Sequence, residues 1–213
     1  DEFLKWDWKE FLDACLAMTK RTSDGKTEQW GLAGLGRVVW GPHRDIVWSN
    51  GGEFFDDVTA IDAREARFTT PEFIEAWQFM LDLDHEHHVC TRPEDEQILG
   101  TEGAFLSGKV AMTFGWGQYG YYAKANFDWS VIAPPWQKRR PNKYGGNSWL
   151  MLKSTQKVQP AWEFMKWLTA TFEGEKAMIG AGFSCYDPEA LLPFAETEMQ
   201  KKMWLTIIHR QRA

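Results

Sequence analysis

The chain is poor in features that mark several whole classes of protein. Its 213 residues include three cysteines, Cys15, Cys90 and Cys185, and this odd, widely spaced set gives neither a disulfide framework nor a paired-cysteine metal knuckle. No apolar run approaches the ~18 residues that a membrane-spanning helix needs. Internal repeats and low-complexity segments are also missing. We therefore expect a globular protein whose core forms without disulfides, a metal or a cofactor.

The beginning of the chain lacks two further signals. It has no initiating methionine, and its first residues do not form the charged, apolar and small-residue pattern of a secretory signal. The chain opens instead within an amphipathic helical pattern. We interpret it as a mature or truncated piece, whose localisation cannot be read from its own amino terminus.

Basic residues are scarce in the first half of the chain. Residues 1–107 hold 22 acidic and 10 basic side chains, whereas residues 108–213 hold 8 acidic and 14 basic ones. Nucleic-acid binding needs clustered lysine and arginine. The one basic cluster, Lys138-Arg139-Arg140, follows two prolines and precedes a third. We interpret this cluster as a solvated loop and expect no nucleic-acid partner.

Tryptophan, by contrast, is abundant, with 13 residues. A buried indole needs a partner for its N–H group, which makes tryptophan a demanding core residue. Several of these tryptophans stand in Gly-rich or turn-like stretches rather than at the spacing of a helical core. This pattern indicates aromatic surfaces that are presented to a ligand.

Apolar periodicity predicts alternating helices and strands, which is typical of an α/β fold. The ranges expected to be helical are 2–20, 71–83, 94–106, 160–171, 173–181 and 188–210. The ranges expected to be extended are 29–32, 110–114, 127–133 and 149–153. Residues 23–26 carry a turn signal, and residues 36–52 indicate a loop or a broken helix that ends in Asn50-Gly51-Gly52. On the 160–171 helix, Trp162 is expected in the core and Trp167 at the surface.

Five passages, in this order, resemble one known family. The amino-terminal passage, residues 6–31, is similar to its "TWDEFL…LT…DGK…YG" pattern, and residues 50–57 are similar to its "NGG…FDD" pattern. Residues 72–83 resemble a helix of that family, and residues 104–112, Ala-Phe-Leu-Ser-Gly-Lys-Val-Ala-Met, match its "F..GKVAM" signature. The passages after residue 133 follow in the same order. The chain thus resembles the extracellular solute-binding proteins of ABC importers, in the carbohydrate-binding group related to maltose-binding protein.

The resemblance implies an α/β, two-lobe, periplasmic-binding-protein-like fold of class II, which closes on its ligand by hinge motion. Most of the C-terminal lobe and a returning segment of the N-terminal lobe would lie in this chain. Residues 1–125 would begin the C-terminal lobe, residues 126–160 would return to the N-terminal lobe through hinge crossings, and residues 161–213 would add helices to the C-terminal lobe. A preceding portion of the N-terminal lobe would lie outside these 213 residues. Residues 185–202 depart from the family's pattern.

The function implied by the resemblance is binding, not catalysis. The protein would bind a sugar or oligosaccharide between its lobes and deliver it to the membrane permease of an ABC importer. It would be a monomer, located outside the cell membrane, in a periplasm, or anchored by a lipid to the outer face of that membrane.

A sugar has a flat face of C–H groups and a rim of hydroxyls, so aromatic rings stack on the face while amides and backbone groups bind the rim. Trp116 is the first candidate for stacking, because it follows the expected 110–114 strand, stands between two glycines, and matches the family's ligand-stacking tryptophan. A core position that covers the strand end is the alternative interpretation.

The other candidates come from less specific patterns. Trp40 and Trp48 flank a polar turn that contains His43, in a region matching the cleft lining of the family, although core packing explains each tryptophan equally well. Asn50 has an amide suited to hydroxyls, but Asn-Gly is also a turn signal. The remaining candidates are two glycines that would admit a ligand to the backbone and three aromatic residues: Gly145, Gly146, Tyr119, Trp149 and Tyr186.

The cluster from His85 to Cys90 contains three histidines and invites a zinc interpretation. It lacks the histidine pair four residues apart of a helical zinc site, and no second group of ligands accompanies it. We therefore interpret it as a solvated helix end and expect no metal site.

Two alternative functions remain open. The acidic first half also suits a polyamine or another small cationic solute, recognised by carboxylates and cation–π contacts in the same fold. A glycan-active hydrolase would instead use paired carboxylates, such as Asp56-Asp57 or those within residues 94–96, as acid and base. Adjacent acidic residues on loops are usually solvated, and no nucleophile with its base is evident.

Overall fold

The computed structural model describes residues 6–33, 42–56, 65–92, 103–114, 122–140 and 149–178, with seven further positions between 192 and 205. The chain divides into two compact units. Unit 1 comprises Asp1–Phe114 and Ile132–Lys143, and unit 2 comprises Gly115–Val131 and Tyr144–Ala213. The assignment of segments to lobes, which the resemblance implies with other boundaries, stays a prediction.

Helices and strands alternate along unit 1, as expected for an α/β fold. Its elements, in chain order, are α1 (Trp8–Met18), β1 (Lys20–Arg21), β2 (Thr27–Leu32), α2 (Pro42–Ser49), α3 (Pro71–His85) and β3 (Val110–Met112). A helical turn at residues 103–106 precedes β3. The described part of unit 2 contains α4 (Val158–Ala170) and α5 (Phe172–Met178).

Helix α1 begins at Trp8 because Asp7 and Glu10 form a capping box. The Asp7 carboxylate accepts from the Glu10 backbone N–H at 2.8 Å, and the Glu10 carboxylate accepts from the Asp7 N–H at 2.9 Å. These two bonds satisfy donors that the first helical turn leaves without partners. The helix is therefore shorter than the predicted range of 2–20, of which residues 1–5 lie outside the described part.

The sheet has the order β1-β2-β3, with β1 antiparallel to β2 and β2 parallel to β3. The predicted turn at 23–26 joins β1 to β2, and Gly25 lies there at φ +85, a conformation that favours glycine. In the parallel pair, Trp30 lies opposite Val110 and Leu32 opposite Met112. Two of the four predicted strands, 29–32 and 110–114, are therefore present, and the second is shorter than expected.

The core of unit 1 lies between the sheet and the helices. Its buried side chains, from α1, β2, α2, α3 and the segment after α3, are Trp8, Phe11, Cys15, Leu32, Ile46, Val47, Phe73, Ala76, Met80, Leu83, Val89 and Cys90. The Trp8 indole donates to the Ser49 hydroxyl at 3.0 Å and stacks on Phe79 with ring centroids 4.4 Å apart. Trp8 thus fixes α1 against α2 and α3.

The interpretation of residues 41–45 as a polar turn is wrong for the described residues, because α2 begins at Pro42. Proline suits a first helical turn, where no backbone donor is needed, and the fully buried Ile46 and Val47 hold this helix in the core. The predicted end at 50–52 is confirmed. Gly51 has φ +84, and the Gly52 N–H donates to the Val47 carbonyl at 3.0 Å, as in a helix C-cap.

Two strand predictions are wrong. Within the described residues, neither 127–133 nor 149–153 joins a strand ladder. Apolar alternation favours an extended chain but does not supply the neighbour that a strand must pair with. Trp162 was also expected in the core, yet 49% of it is exposed, and Trp167 is 40% exposed.

None of the helices that the structure describes has the length and apolar character required to cross a membrane. Of the predicted helix at 188–210, the structure describes seven separate positions, four of which are helical: Glu198, Lys201, Lys202 and Leu205.

Candidate functional site

Three extended segments of unit 1 run in parallel and end at the same edge of the sheet. The Ala33 N–H at the end of β2 donates to the Met112 carbonyl of β3 at 2.9 Å. On the other side of β2, the Leu32 N–H donates to the Val89 carbonyl at 3.0 Å, and the Thr91 N–H donates to the Leu32 carbonyl at 3.1 Å. In open α/β sheets, ligands bind at the carboxyl ends of parallel strands. This edge is therefore the candidate site.

The sequence after each of these strand ends is rich in glycine and aromatic residues. Residues 34–41 read Gly-Leu-Gly-Arg-Val-Val-Trp-Gly, and residues 115–121 read Gly-Trp-Gly-Gln-Tyr-Gly-Tyr. The first stretch contains Trp40, and the second contains Trp116 and Tyr119. All three candidates lie outside the described residues, so their contacts stay predictions.

Helix α2 follows the first of these stretches, and aromatic contacts fix its orientation. The His43 ring stacks on Trp77 of α3 with centroids 5.3 Å apart, and Trp77 stacks on Phe73 at 5.7 Å. Toward its end, the Arg44 guanidinium lies 5.5 Å from the centre of the Trp48 ring. The structure therefore places His43 and Trp48 in packed aromatic contacts, and ligand contact by either stays a prediction.

Asn50 is fully buried and bridges α2 to α3. Its amide nitrogen donates to the Glu72 carbonyl at 2.9 Å and to the Glu75 carboxylate at 2.8 Å. Its carbonyl oxygen is also buried and accepts no hydrogen bond within the described residues. These contacts give Asn50 a structural explanation beside the predicted role in ligand binding.

The basic segment before residue 140 binds the carboxyl end of α2. The backbone N–H groups of Lys138 and Arg139 both donate to the Ser49 carbonyl, at 2.8 and 2.9 Å. The Arg139 Nε donates to the Trp48 carbonyl at 2.6 Å, and its guanidinium pairs with Glu53. Positive charge is favourable at a helix carboxyl end. Both side chains remain exposed, as a solvated loop predicts, but the sequence analysis missed this anchoring role.

Glu75 connects the two contacts at the end of α2. It accepts from Asn50 and also pairs with the Lys138 ammonium at 3.2 Å. The hydrogen bond from Asn50 and then that from Lys138 lower the pKa of the Glu75 carboxyl. About half of this side chain is exposed, so solvent screens the effect.

The last described candidate, Trp149, lies in unit 2 and is 48% exposed. Gly145, Gly146 and Tyr186 lie outside the described residues. Of the ten predicted site residues, three lie on α2 and its cap, each with contacts to other residues: His43, Trp48 and Asn50. Trp77 was not predicted, although its spacing from Phe73 on α3 was a signal that the two rings share a face.

The segment from His85 to Cys90 ends α3 and rejoins the sheet. His88, at φ 52, places its ring Nδ1 3.0 Å from the Asp84 carbonyl, while Cys90 is buried beside Leu32. In the part of the chain that is described, no three or more His, Cys, Asp or Glu side chains gather into a group that could hold a metal ion.

Comparison with known proteins identifies the class. A model of the bacterial extracellular solute-binding protein family matches residues 4–185, and the chain belongs to that family. The resemblance to extracellular solute-binding proteins seen in the sequence is thereby confirmed. A search of curated protein sequences found no match.

Solved structures confirm the two-lobe binding-protein fold, of which this chain spans a part. An ABC substrate-binding protein from Listeria monocytogenes, in complex with cycloalternan, is 19% identical with a TM-score of 0.77, over 98% of this chain and 52% of that one. An ABC transporter solute-binding protein from Thermotoga lettingae, bound with alpha-D-tagatose, is 18% identical with a TM-score of 0.67, over 96% and 53%. A maltose/maltodextrin-binding domain from Bdellovibrio bacteriovorus, bound to maltotriose, is 15% identical with a TM-score of 0.58, over 99% and 68%. The chain therefore spans about half the length of the first two.

Proposed function

We propose that this chain is part of a two-lobe protein that binds a sugar or oligosaccharide and delivers it to the permease of an ABC importer. The observation that carries the proposal is the common edge at which β2 and β3 end, followed in both cases by Gly- and Trp-rich sequence. Family membership supports solute binding, and the three structural relatives carry sugars. On this proposal the protein works outside the cell membrane as a monomer and performs no catalysis.

Trp116 is the residue we propose to stack on the sugar. It stands four residues after Met112, and four residues of chain reach at most about 14 Å. The sugar would therefore lie near the end of β3. Trp40, two residues before α2, would approach from the neighbouring strand end, and Tyr119 would add a hydroxyl.

The remaining candidates have secondary roles in the proposal. His43 and Trp48 would contribute through α2, whose position Arg139 and Asn50 fix. Gly145, Gly146, Trp149 and Tyr186 would meet the ligand from other segments of the chain.

A titration of tryptophan fluorescence tests the proposal. The two-lobe protein is titrated with monosaccharides, oligosaccharides and polyamines, and we expect a saturable change with one class of sugar. Trp116→Ala should abolish that response and Trp116→Phe, which keeps a ring, should weaken it. Trp162→Phe, which removes an indole from α4, should leave the affinity unchanged. Equal affinities in all variants would refute the role of Trp116.

A small cationic solute is the second candidate. Residues 1–107 hold 22 acidic but only 10 basic side chains. This negative charge favours a cationic ligand, because carboxylates and aromatic rings together recognise ammonium groups. In the same titration, a response to polyamines with none to sugars would select this function. Release of reducing sugar from an oligosaccharide would select the hydrolase instead.

A further inference from the structure

The cap of α2, residues 50–52, begins with the one Asn-Gly pair of the chain, Asn50-Gly51. Asparagine followed by glycine is the pair most prone to spontaneous deamidation, because glycine has no Cβ to hinder attack by its own backbone nitrogen on the preceding side chain. The other asparagines precede phenylalanine, lysine and serine: Asn126, Asn142 and Asn147. The chain thus carries one strongly reactive asparagine, and it is the residue that bridges α2 to α3.

Deamidation requires the backbone nitrogen of Gly51 to reach the side chain of Asn50. The nitrogen gives up its proton and forms a bond to Cγ of Asn50, and the bond from Cγ to Nδ2 breaks as ammonia leaves with that proton. The succinimide ring that results then adds water and opens at one of its two carbonyl carbons. One opening leaves aspartate at position 50. The other leaves isoaspartate, in which the main chain runs through the side-chain carbon.

In the folded protein both reacting groups are held in other contacts. The Gly51 N–H donates to the Trp48 carbonyl at 3.0 Å. The Asn50 amide nitrogen donates to the Glu72 carbonyl at 2.9 Å and to the Glu75 carboxylate at 2.8 Å. Asn50 is also fully buried, and no donor among the described residues faces its carbonyl oxygen to stabilise the negative charge of the addition step. The cap of α2 must therefore open before the reaction can proceed.

Neither product fits the closed cap. An ionised aspartate at position 50 donates no hydrogen bond, yet it would face the Glu72 carbonyl and the Glu75 carboxylate where the amide now donates to both. A buried charge opposed by a like charge and by a second acceptor is strongly unfavourable. An isoaspartate would lengthen the main chain inside the turn that the Gly52 N–H closes on the Val47 carbonyl at 3.0 Å.

We propose that Asn50 is a site of spontaneous deamidation, which the closed cap of α2 prevents and which, once it has occurred, keeps the cap from closing again. The modification is then a one-way record of opening at this end of the helix, and it limits how often the cap can open and still return. The reaction consumes only water. The inference does not depend on the identity of the solute.

Mass spectrometry of the two-lobe protein tests the site and its protection. The tryptic peptide 45–64 contains Asn50 as its only asparagine, so the deamidated peptide reports this site alone. Deamidation should be at least about 100-fold slower in the folded protein than in the protein unfolded in urea, because the cap opens only in a small fraction of molecules. Equal rates would overturn the protection, and an unmodified Asn50 in the unfolded protein would overturn the site.

Two lysine-paired glutamates provide matched variants that test the role of the cap. Glu75 pairs with Lys138 and Glu163 with Lys166, and each glutamate side chain is 54% exposed. Glu75→Ala removes an acceptor of the Asn50 amide and should speed deamidation of the folded protein by about 10-fold, without changing the rate in urea. Glu163→Ala, on α4, should change neither rate. An equal acceleration by both variants would overturn the assignment to the cap.

Asn50→Asp reproduces one product directly. This variant should lower the Tm of the two-lobe protein by roughly 5–10 °C. Addition of Glu75→Gln should restore most of the loss, or folding itself if Asn50→Asp alone does not fold, because the glutamine amide can donate to the new carboxylate. An unchanged Tm in Asn50→Asp, or no recovery in the double variant, would overturn the clash at the cap. No sugar takes part, so a failure here is distinct from a failure of the fluorescence titration.

Discussion

Replacement of Gly31 by alanine should destabilise unit 1 through a direct clash between β2 and α1. A Cβ at this position would stand 2.1 Å from the Cys15 carbonyl oxygen and 2.8 Å from its carbon. Both are backbone atoms, so no side-chain rotation relieves the contact, and α1 must withdraw by about 1 Å to reach van der Waals distance. The same movement disturbs the Gly31 N–H bond to the Thr19 hydroxyl, which is 3.0 Å long.

The expected cost follows from these two effects. Overpacking of a core costs about 1–3 kcal/mol, and the weakened hydrogen bond adds about 1 kcal/mol. We therefore expect the free energy of unfolding to fall by about 2–4 kcal/mol and the Tm to fall by roughly 5–15 °C for a domain of this size.

Urea unfolding followed by tryptophan fluorescence measures this loss, and Gly25→Ala is the matched control. Gly25 has φ +85 but no atom within 4 Å of an added Cβ, so its substitution costs only about 1–2 kcal/mol of backbone strain. If Gly31→Ala proved no more destabilising than Gly25→Ala, the close approach of α1 to β2 would be refuted.

Three further predictions concern the end of α2 and the core. Arg139→Gln removes the side-chain bonds to α2 and should lower the free energy of unfolding by about 1 kcal/mol, as measured by urea unfolding. The neighbouring substitution Arg140→Gln should lower that free energy less. Because folding lowers the pKa of the Glu75 carboxyl from its ordinary value of 4.5, ionised Glu75 stabilises the fold at pH values above 4.5. This contribution is lost as the pH falls through the pKa of the folded protein. Asn50→Ala should therefore reduce the acid dependence of Tm in that range, and an unchanged dependence would contradict the bridge. Burial raises the pKa of the Cys15 thiol to about 12, so a thiol reagent should label Cys15 at pH 8 only on unfolding. Rapid labelling of Cys15 itself in the native protein would contradict its burial.

Local signals in the sequence predicted much of unit 1. Thr70-Pro71 and the apolar spacing that follows placed the start of α3 correctly, because a helix start is encoded within a few residues. The strands at 29–32 and 110–112 were found because a short apolar run next to turn residues is likewise encoded locally. The signal for the turn at Gly51 was also local, because the positive φ angle of that one residue is enough to favour glycine.

The errors arose where structure depends on distant partners. The predicted strands at 127–133 and 149–153 have the alternation or apolar run of a strand, but pairing requires a neighbour that the local pattern does not specify. Residues 36–52 were predicted as a loop or a broken helix, and α2 was not assigned within them because its polar first turn concealed two buried residues, Ile46 and Val47. The helix predicted over residues 2–20 began too early, because the capping box at Asp7, which makes Trp8 the first residue of α1, was overlooked.

The sequence predicted the type of the candidate site and several of its residues, but not their contacts. Family passages led to Trp116 and to Asn50, yet the contacts of Asn50 with Glu72 and Glu75 join residues more than twenty positions apart. Arg139 was missed for the same reason, since its partners Trp48 and Glu53 lie more than eighty positions away. Sequence spacing does not bring such residues together, whereas the sheet edge follows directly from the two parallel strands.

The central claim is that a sugar binds at the common edge of β2 and β3. A crystal structure of the two-lobe protein with the sugar found by titration tests this claim most directly. We predict a sugar ring stacked on the Trp116 indole at carbon–carbon distances of about 4 Å, beside the carboxyl ends of both strands. A sugar bound elsewhere, or a Trp116 side chain packed in the core without ligand contact, would contradict the account.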